Sequence, residues 1–213
     1  MIAERALRRA VIERRLARPA PHVDPVERLL ADVEGPITPE LREWLARPQR
    51  EAAVLVALID RPAGFTMLFT ERAHHLPHHA GQVSFPGGRI DESEDAVAAA
   101  LREAWEEVRM PRSAVDVVGR LPMHVTGTGF AITPVVGFVS GDFVAEPDPG
   151  EVAGVFEVPL DVLLAPGTLR TTYRERLGTR FKTYEIEHSG RLIWGATAAM
   201  LKTFRDMLAD EPD

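Results

Sequence analysis

One stretch limits what this chain can fold into more than any other. From Asp95 to Leu101 it reads Asp-Ala-Val-Ala-Ala-Ala-Leu, and Arg102-Glu103-Ala104-Trp105-Glu106-Glu107 follows directly. Alanine-rich sequence of this kind favours a helix. On a helix, Glu103 stands three residues from Glu106 and four from Glu107, so all three can share one face. Three crowded carboxylates repel one another unless a cation sits among them. Hard oxygen ligands suit Mg²⁺ or Mn²⁺, and such an ion beside carboxylates is common equipment for activating water against a phosphate ester. A solvated helical face is the ordinary explanation of a Glu-rich helix, so the spacing of the surrounding residues must decide.

The elements around this helix are of both kinds. Helices are expected at Ile2–Ala17, at Pro25–Asp32 behind an Asp24 cap, and at Pro39–Ala46 behind a Thr38 cap. The pattern then changes. Ala52 to Ile59 is a continuous apolar run that ends in Asp60-Arg61-Pro62, as in a buried strand. Arg61-Pro62-Ala63-Gly64 reads as a hairpin turn into a strand at Phe65–Thr70. A loop with His74, His75, His78 and His79 follows, then a short strand at Gln82–Phe85. The Glu-rich helix should run from about Ser93, as cap, to Val108. Further strands are expected at Val115–Leu121, Ile132–Val139, Gly154–Val158 and Phe181–His188. Helices are expected at Leu160–Leu164 and Ala196–Leu208. Strands with inserted helices, rather than regular alternation, point to an α+β sandwich.

Composition narrows the function classes. Of 213 residues, 45% are hydrophobic and 27% charged, enough for a sizeable core in one domain with an extension. A net charge of −7 disfavours non-specific nucleic-acid binding. The chain has no cysteine, which excludes disulfides, thiolate metal sites and a cysteine nucleophile and fits a cytoplasmic location. No apolar run approaches a membrane span, and arginines interrupt every apolar stretch of residues 1–18, so a secretory signal is not expected. That basic segment has the look of a transit peptide. Glu4 and Glu13 argue against it, and a surface helix packed on the domain is the preferred reading. Residues 1–50 carry no chemical cluster and are expected to form a helical extension, with a homodimer contact as its role.

Gly88, Glu94, Arg102-Glu103 and Glu106-Glu107 together resemble the Nudix box, Gly-x5-Glu-x7-Arg-Glu-U-x-Glu-Glu-x-Gly-U with U apolar. Ala104 and Met110 stand at the U positions, and Arg109 replaces the second glycine. In the family this glycine lies just past the helix, so the change should affect the helix end rather than the metal. A second signature overlaps the first. Leu68-Phe69-Thr70-Glu71-Arg72-Ala73, Gly81 and Phe85-Pro86-Gly87-Gly88 resemble the coenzyme A pyrophosphatase branch of that family. There Pro77 takes the place of a second arginine. Looser similarity continues at Thr133-Pro134-Val135, Glu151-Val152 and Trp194-Gly195-Ala196-Thr197-Ala198.

The resemblance implies a Nudix fold, with a mixed sheet between helices and the box as loop–helix–loop, in a domain spanning 51–213. It implies hydrolysis of a diphosphate linked to a further moiety, with Mg²⁺ or Mn²⁺ as cofactor. Coenzyme A is the favoured partner; ADP-ribose, a nucleotide sugar, or a silent nucleotide-binding domain are the alternatives. It assigns Glu103 and Glu107 as main metal ligands with Glu106 assisting, and the backbone of Gly88 as a further ligand. Arg102 would orient a box glutamate, with Glu94 as its partner. Arg72 would bind the diphosphate through its guanidinium fork, beside Gly87. A late-loop glutamate should reach the cluster; Glu151 is the first candidate and Glu146 the second. The four histidines invite a zinc site, but no further ligands at zinc spacing accompany them, and a loop at the substrate mouth is preferred. Trp194 reads as packing rather than as a base-stacking residue.

Overall fold

A computed structural model describes residues 2–18, 24–76 and 80–209. In chain order the elements are α1 (Ile2–Leu16), α2 (Pro25–Leu30), β1 (Val33–Glu34), α3 (Pro39–Leu45), β2 (Arg50–Arg61), β3 (Gly64–Arg72), β4 (Val83–Ser84) and β5 (Gly87–Arg89). After these come α4 (Ala96–Val108), β6 (Val115–Arg120), β7 (His124–Val125), β8 (Phe130–Val139), β9 (Val152–Pro159) and α5 (Leu160–Leu164). The last are β10 (Arg170–Arg176), β11 (Thr179–His188), β12 (Arg191–Trp194) and α6 (Gly195–Ala209).

β2 is the axis of the larger sheet. It pairs with β3 through the tight Pro62–Ala63 turn, with β8 in parallel, and with β5 near its start. The sheet runs β4-β3-β2-β8-β6, with β9 added along β3 and β7 along β8. The unbroken apolar run is explained by burial on both faces. Val54, Val56 and Leu58 point into one core cluster, and Ala53, Leu55, Ala57 and Ile59 into the other. The second cluster lies under α4. There Ala99, Ala100 and Ala104 meet the alanines of β2, and small residues on both sides let helix and sheet approach closely.

On the opposite face a second, antiparallel sheet of β1, β10, β11 and β12 contributes Tyr184, Ile186 and Ile193 to the first cluster, with Phe204 and Leu201 of α6. The expected sandwich of a mixed sheet between helices is present, with this sheet added. The N-terminal segment joins the same body. Ile12 of α1 is buried in the first cluster, Arg9 lies over Phe138 at 4.4 Å, and β1 pairs with β11.

The start of α4 corrects the sequence expectation. The cap is Asp95, whose carboxylate accepts from Ala98 N–H at 2.8 Å, not Ser93. The Glu94 carboxylate accepts from Asp91 N–H at 3.0 Å, and Glu94 N–H donates back to Asp91 carbonyl at 3.2 Å. That closed turn holds residues 91–94 out of the helix.

Candidate active site

α4 packs against β2 and β5, where β5 pairs with the start of β2. Helical spacing puts Glu103 and Glu107 on the same stripe as the buried alanines. Glu107 is buried, with 6% exposure, in the place an apolar residue would occupy.

Backbone bonds bring a third carboxylate. The last carbonyls of a helix have no partner within it. Here Glu146 N–H donates to the Val108 carbonyl at 3.1 Å and Asp148 N–H to the Glu107 carbonyl at 2.9 Å. Asp148 then turns the chain, its carboxylate accepting from Gly150 N–H at 2.8 Å. Ala73 N–H, just past β3, donates to the Glu151 carbonyl at 2.8 Å. Pinned from both sides, Glu151 offers a carboxylate oxygen that, with those of Glu103 and Glu107, lies within 4.8 Å of the others. Glu146, the second candidate for the late loop, is exposed and outside this group.

The electrostatics follow from the crowding. Burial pushes the Glu107 carboxyl up to about 8, and the charges of Glu103 and Glu151 add to this. Arg72 and a backbone hydrogen bond from Gly87 act the other way. Burial also raises the Glu103 carboxyl, against the pull of Arg102. Glu107 Oε2 is buried with no hydrogen-bond partner among the described residues. A buried carboxylate with one orphaned oxygen, grouped with two further carboxylates, is costly alone and well matched to a divalent cation held by hard oxygens. On that observation the residues fit a divalent cation.

Arg102 organises the outer side. It forks onto Glu94 at 2.6 and 3.2 Å, and reaches Glu103 and Glu106 at 2.9 Å each. It also donates to the Arg89 carbonyl at 3.0 Å. The hydrogen bonds from Arg102 hold the Glu94 carboxyl below its ordinary range. Glu106, expected on the shared face, is half exposed and turned to Arg102, away from the three-carboxylate group. The Arg89 carbonyl left no signal in the sequence, because backbone acceptors carry no residue code.

The glycines fit by size. A Cβ on Gly88 would sit 2.3 Å from a Glu103 carboxylate oxygen, and one on Gly87 would sit 2.4 Å from the Ala53 carbonyl. Of the upstream signature, Leu68, Phe69 and Phe85 are core residues, the two rings stacking at 5.1 Å. Arg72 is half-buried at the end of β3, where its backbone bonds Gln82 and Gly81. Pro77, His78 and His79 lie outside the described residues. His74 Nε2 is 3.3 Å from Glu71, and among the described residues the glutamate triad is the only group with metal-ligand spacing. Trp194 packs beneath Arg174, 4.4 Å from its guanidinium.

Comparison with known proteins shows the family. A sequence profile of the NUDIX domain matches residues 49–177. The chain is 41% identical over 165 residues to a protein of Cronobacter sakazakii described as uncharacterized Nudix hydrolase NudL; the match covers 77% of this chain and 85% of that one. The Escherichia coli K12 protein of the same description is 39% identical over 180 residues, covering 80% and 93%. Among solved structures, a Nudix hydrolase from M. smegmatis, RenU, superposes with a TM-score of 0.53 at 21% identity, covering 78% of this chain and 90% of that one. This last likeness speaks to the fold.

Proposed function

Because this chain belongs to the Nudix family and is a Nudix hydrolase, we propose that it is a divalent-metal-dependent pyrophosphatase acting on coenzyme A or its derivatives. The observation that carries the metal dependence is the buried Glu107 carboxylate, with Oε2 unpartnered, grouped with the carboxylates of Glu103 and Glu151. Glu103 and Glu107 would hold the cation, with the Gly88 backbone as a further donor and Glu106 tuning Glu103 through their shared Arg102. Bound there, Mg²⁺ or Mn²⁺ supplies charge neutralisation and a lowered pKa for water. Glu151, on the solvent side, orients the attacking water and accepts its proton. Arg72 and the Gly87 backbone line up the diphosphate. Water attacks one phosphorus, the P–O bond of the anhydride breaks, and the products are 3′,5′-ADP and 4′-phosphopantetheine. No covalent intermediate is required.

Support for coenzyme A comes from the signature positions in the stretch Leu68–Gly88, of which Arg72 and the Gly87 backbone act on the Glu107 carboxylate. Pro77 in place of the second arginine favours a second reading, hydrolysis of ADP-ribose or a nucleotide sugar. Against a silent nucleotide-binding domain stands the full set of box carboxylates. In this proposal residues 51–213 carry the hydrolase, residues 1–50 form an extension through which two copies pair, and the enzyme works in the cytoplasm. Among the described residues no helix is long and apolar enough to cross a membrane. The test is a hydrolysis screen with Mg²⁺ and Mn²⁺ over coenzyme A, ADP-ribose and nucleotide sugars. The proposal expects coenzyme A to lead in kcat/KM at saturating metal. ADP-ribose in the lead would overturn the substrate and leave the family assignment standing.

A further inference from the structure

A cavity of about 400 Å³ lies on the face of the large sheet away from α4, walled by α2, α3, β7, the β10–β11–β12 sheet and one face of α6. None of Arg72, Gly87, Gly88, Glu103, Glu107 or Glu151 lines it. Its charge runs against that of the chain. Arg28, Arg174, Arg176, Lys182 and Lys202 line it against only Asp32 and Asp206, in a protein of net charge −7. Both acids are engaged, Asp32 by the Tyr184 hydroxyl at 2.8 Å and Asp206 by Lys202 at 2.5 Å. Arg174 is spent on Trp194. Arg28, Arg176 and Lys182 have no acidic partner among the described residues, and Arg28 Nε is buried without any hydrogen-bond partner. A buried donor such as Arg28 Nε is costly without a hydrogen bond, and gathering further cations of one sign around one cavity adds repulsion that an anion would relieve.

The walls also offer flat apolar surface. Trp44, Phe181 and Trp194 face the same space, and its volume lies in the range of small-molecule sites. We propose that the cavity binds a small phosphate monoester carrying a planar ring, of the nucleoside monophosphate type, at a site separate from the carboxylate triad. The phosphate meets Arg28, Arg176 and Lys182, and guanidinium forks suit its oxygens. The ring lies against the tryptophans. His124 also stands on the cavity wall, where burial pushes its imidazole down to about 4 and the Arg28 charge adds to the effect.

This inference rests on the cavity and not on the hydrolase reading, so the two fail independently. The probe is AMP, titrated calorimetrically into the full chain in EDTA, with adenosine and inorganic phosphate as comparison ligands. AMP should bind, and Arg176→Ala and Lys182→Ala should each weaken it at least about tenfold, the worth of one charged hydrogen bond. Arg176 is exposed, so its truncation should leave the circular dichroism spectrum unchanged. Glu107→Gln should leave AMP binding as it is, and the His124 imidazole should titrate at higher pH in the complex. The absence of AMP binding, affinity indifferent to both substitutions, or binding lost with Glu107→Gln would each overturn the site. Inorganic phosphate or adenosine binding as tightly as AMP would overturn the two-part ligand.

Discussion

Arg102 grips both carboxylate oxygens of Glu94, at 2.6 and 3.2 Å, across eight residues of sequence. The fork fixes the guanidinium, so that its remaining N–H groups reach Glu103 and Glu106. It also ties the loop before α4 to the helix. Glu94→Gln should therefore lower metal affinity and kcat by about tenfold or more, the usual cost of losing a partner behind a ligand. Arg102→Lys should not restore function, because an ammonium cannot make the fork. Metal titration of the variants checks this; wild-type affinity in Glu94→Gln would refute it.

Glu107 contributes a pH dependence to the stability of the metal-free protein. Its folded-state value, about 8, lies above the ordinary value of 4.5. A raised carboxyl contributes stability that is fully present below the unfolded value and is lost as pH rises through the folded one. In EDTA, Glu107→Gln should thus match its parent near pH 4.5 and surpass it in Tm by pH 8. Mg²⁺ should raise the Tm of the parent much more than that of the variant. Calorimetric scans across this range decide it, and a Tm difference independent of pH would speak against the buried charge.

Glu151 and Glu146 separate by geometry. Only Glu151 lies within 4.8 Å of the other two carboxylates. Glu151→Gln should lower kcat far more than it raises KM, while Glu146→Gln should be silent. Steady-state kinetics on both variants checks the assignment, and the reverse pattern would move the role to Glu146.

The end of α4 offers a stability test. Arg109 occupies the left-handed region, at φ 55°, in a position where the family pattern has glycine. Its N–H and that of Met110 cap the Trp105 and Ala104 carbonyls at 3.0 and 3.1 Å. A side chain there costs about 1 kcal/mol or more, and the exposed pair with Asp148, at 3.1 Å, returns at most about that. Arg109→Gly should then be more stable than Arg109→Ala by about 1 kcal/mol, with kcat unchanged in both. Urea unfolding of the pair measures it; an alanine variant as stable as the glycine one would refute the strain.

How much was legible in the sequence depended on which pattern each element had to carry. β2 announced itself because burial on both faces demands an unbroken apolar run. α4 did so because its alanines and carboxylates keep helical spacing. β10, Arg-Thr-Thr-Tyr-Arg-Glu-Arg, could not be read: it pairs only with β11, six of its seven residues are exposed, and nothing alternates. The cap moved from Ser93 to Asp95 because Glu94 has another task. At the site, spacing along one helix found Glu103 and Glu107. It could not show that Glu106 swings outward, which depends on where Arg102 is held. Glu151 was legible only through the resemblance, since its approach is made by backbone bonds to α4 and β3. The basic cavity was invisible, because its cations come from α2, β10, β11 and α6 and meet only in three dimensions.

The most direct measurement is turnover of coenzyme A by Glu107→Gln at saturating Mg²⁺ or Mn²⁺. Glutamine keeps the size of the side chain and nearly its helix propensity, so the fold should survive, as circular dichroism would show. Loss of an essential electrostatic group should cut kcat by about a hundredfold or more. A folded variant with turnover within about threefold of the parent, far short of that loss, would contradict the account that the carboxylates of Glu103, Glu107 and Glu151 form the catalytic metal centre.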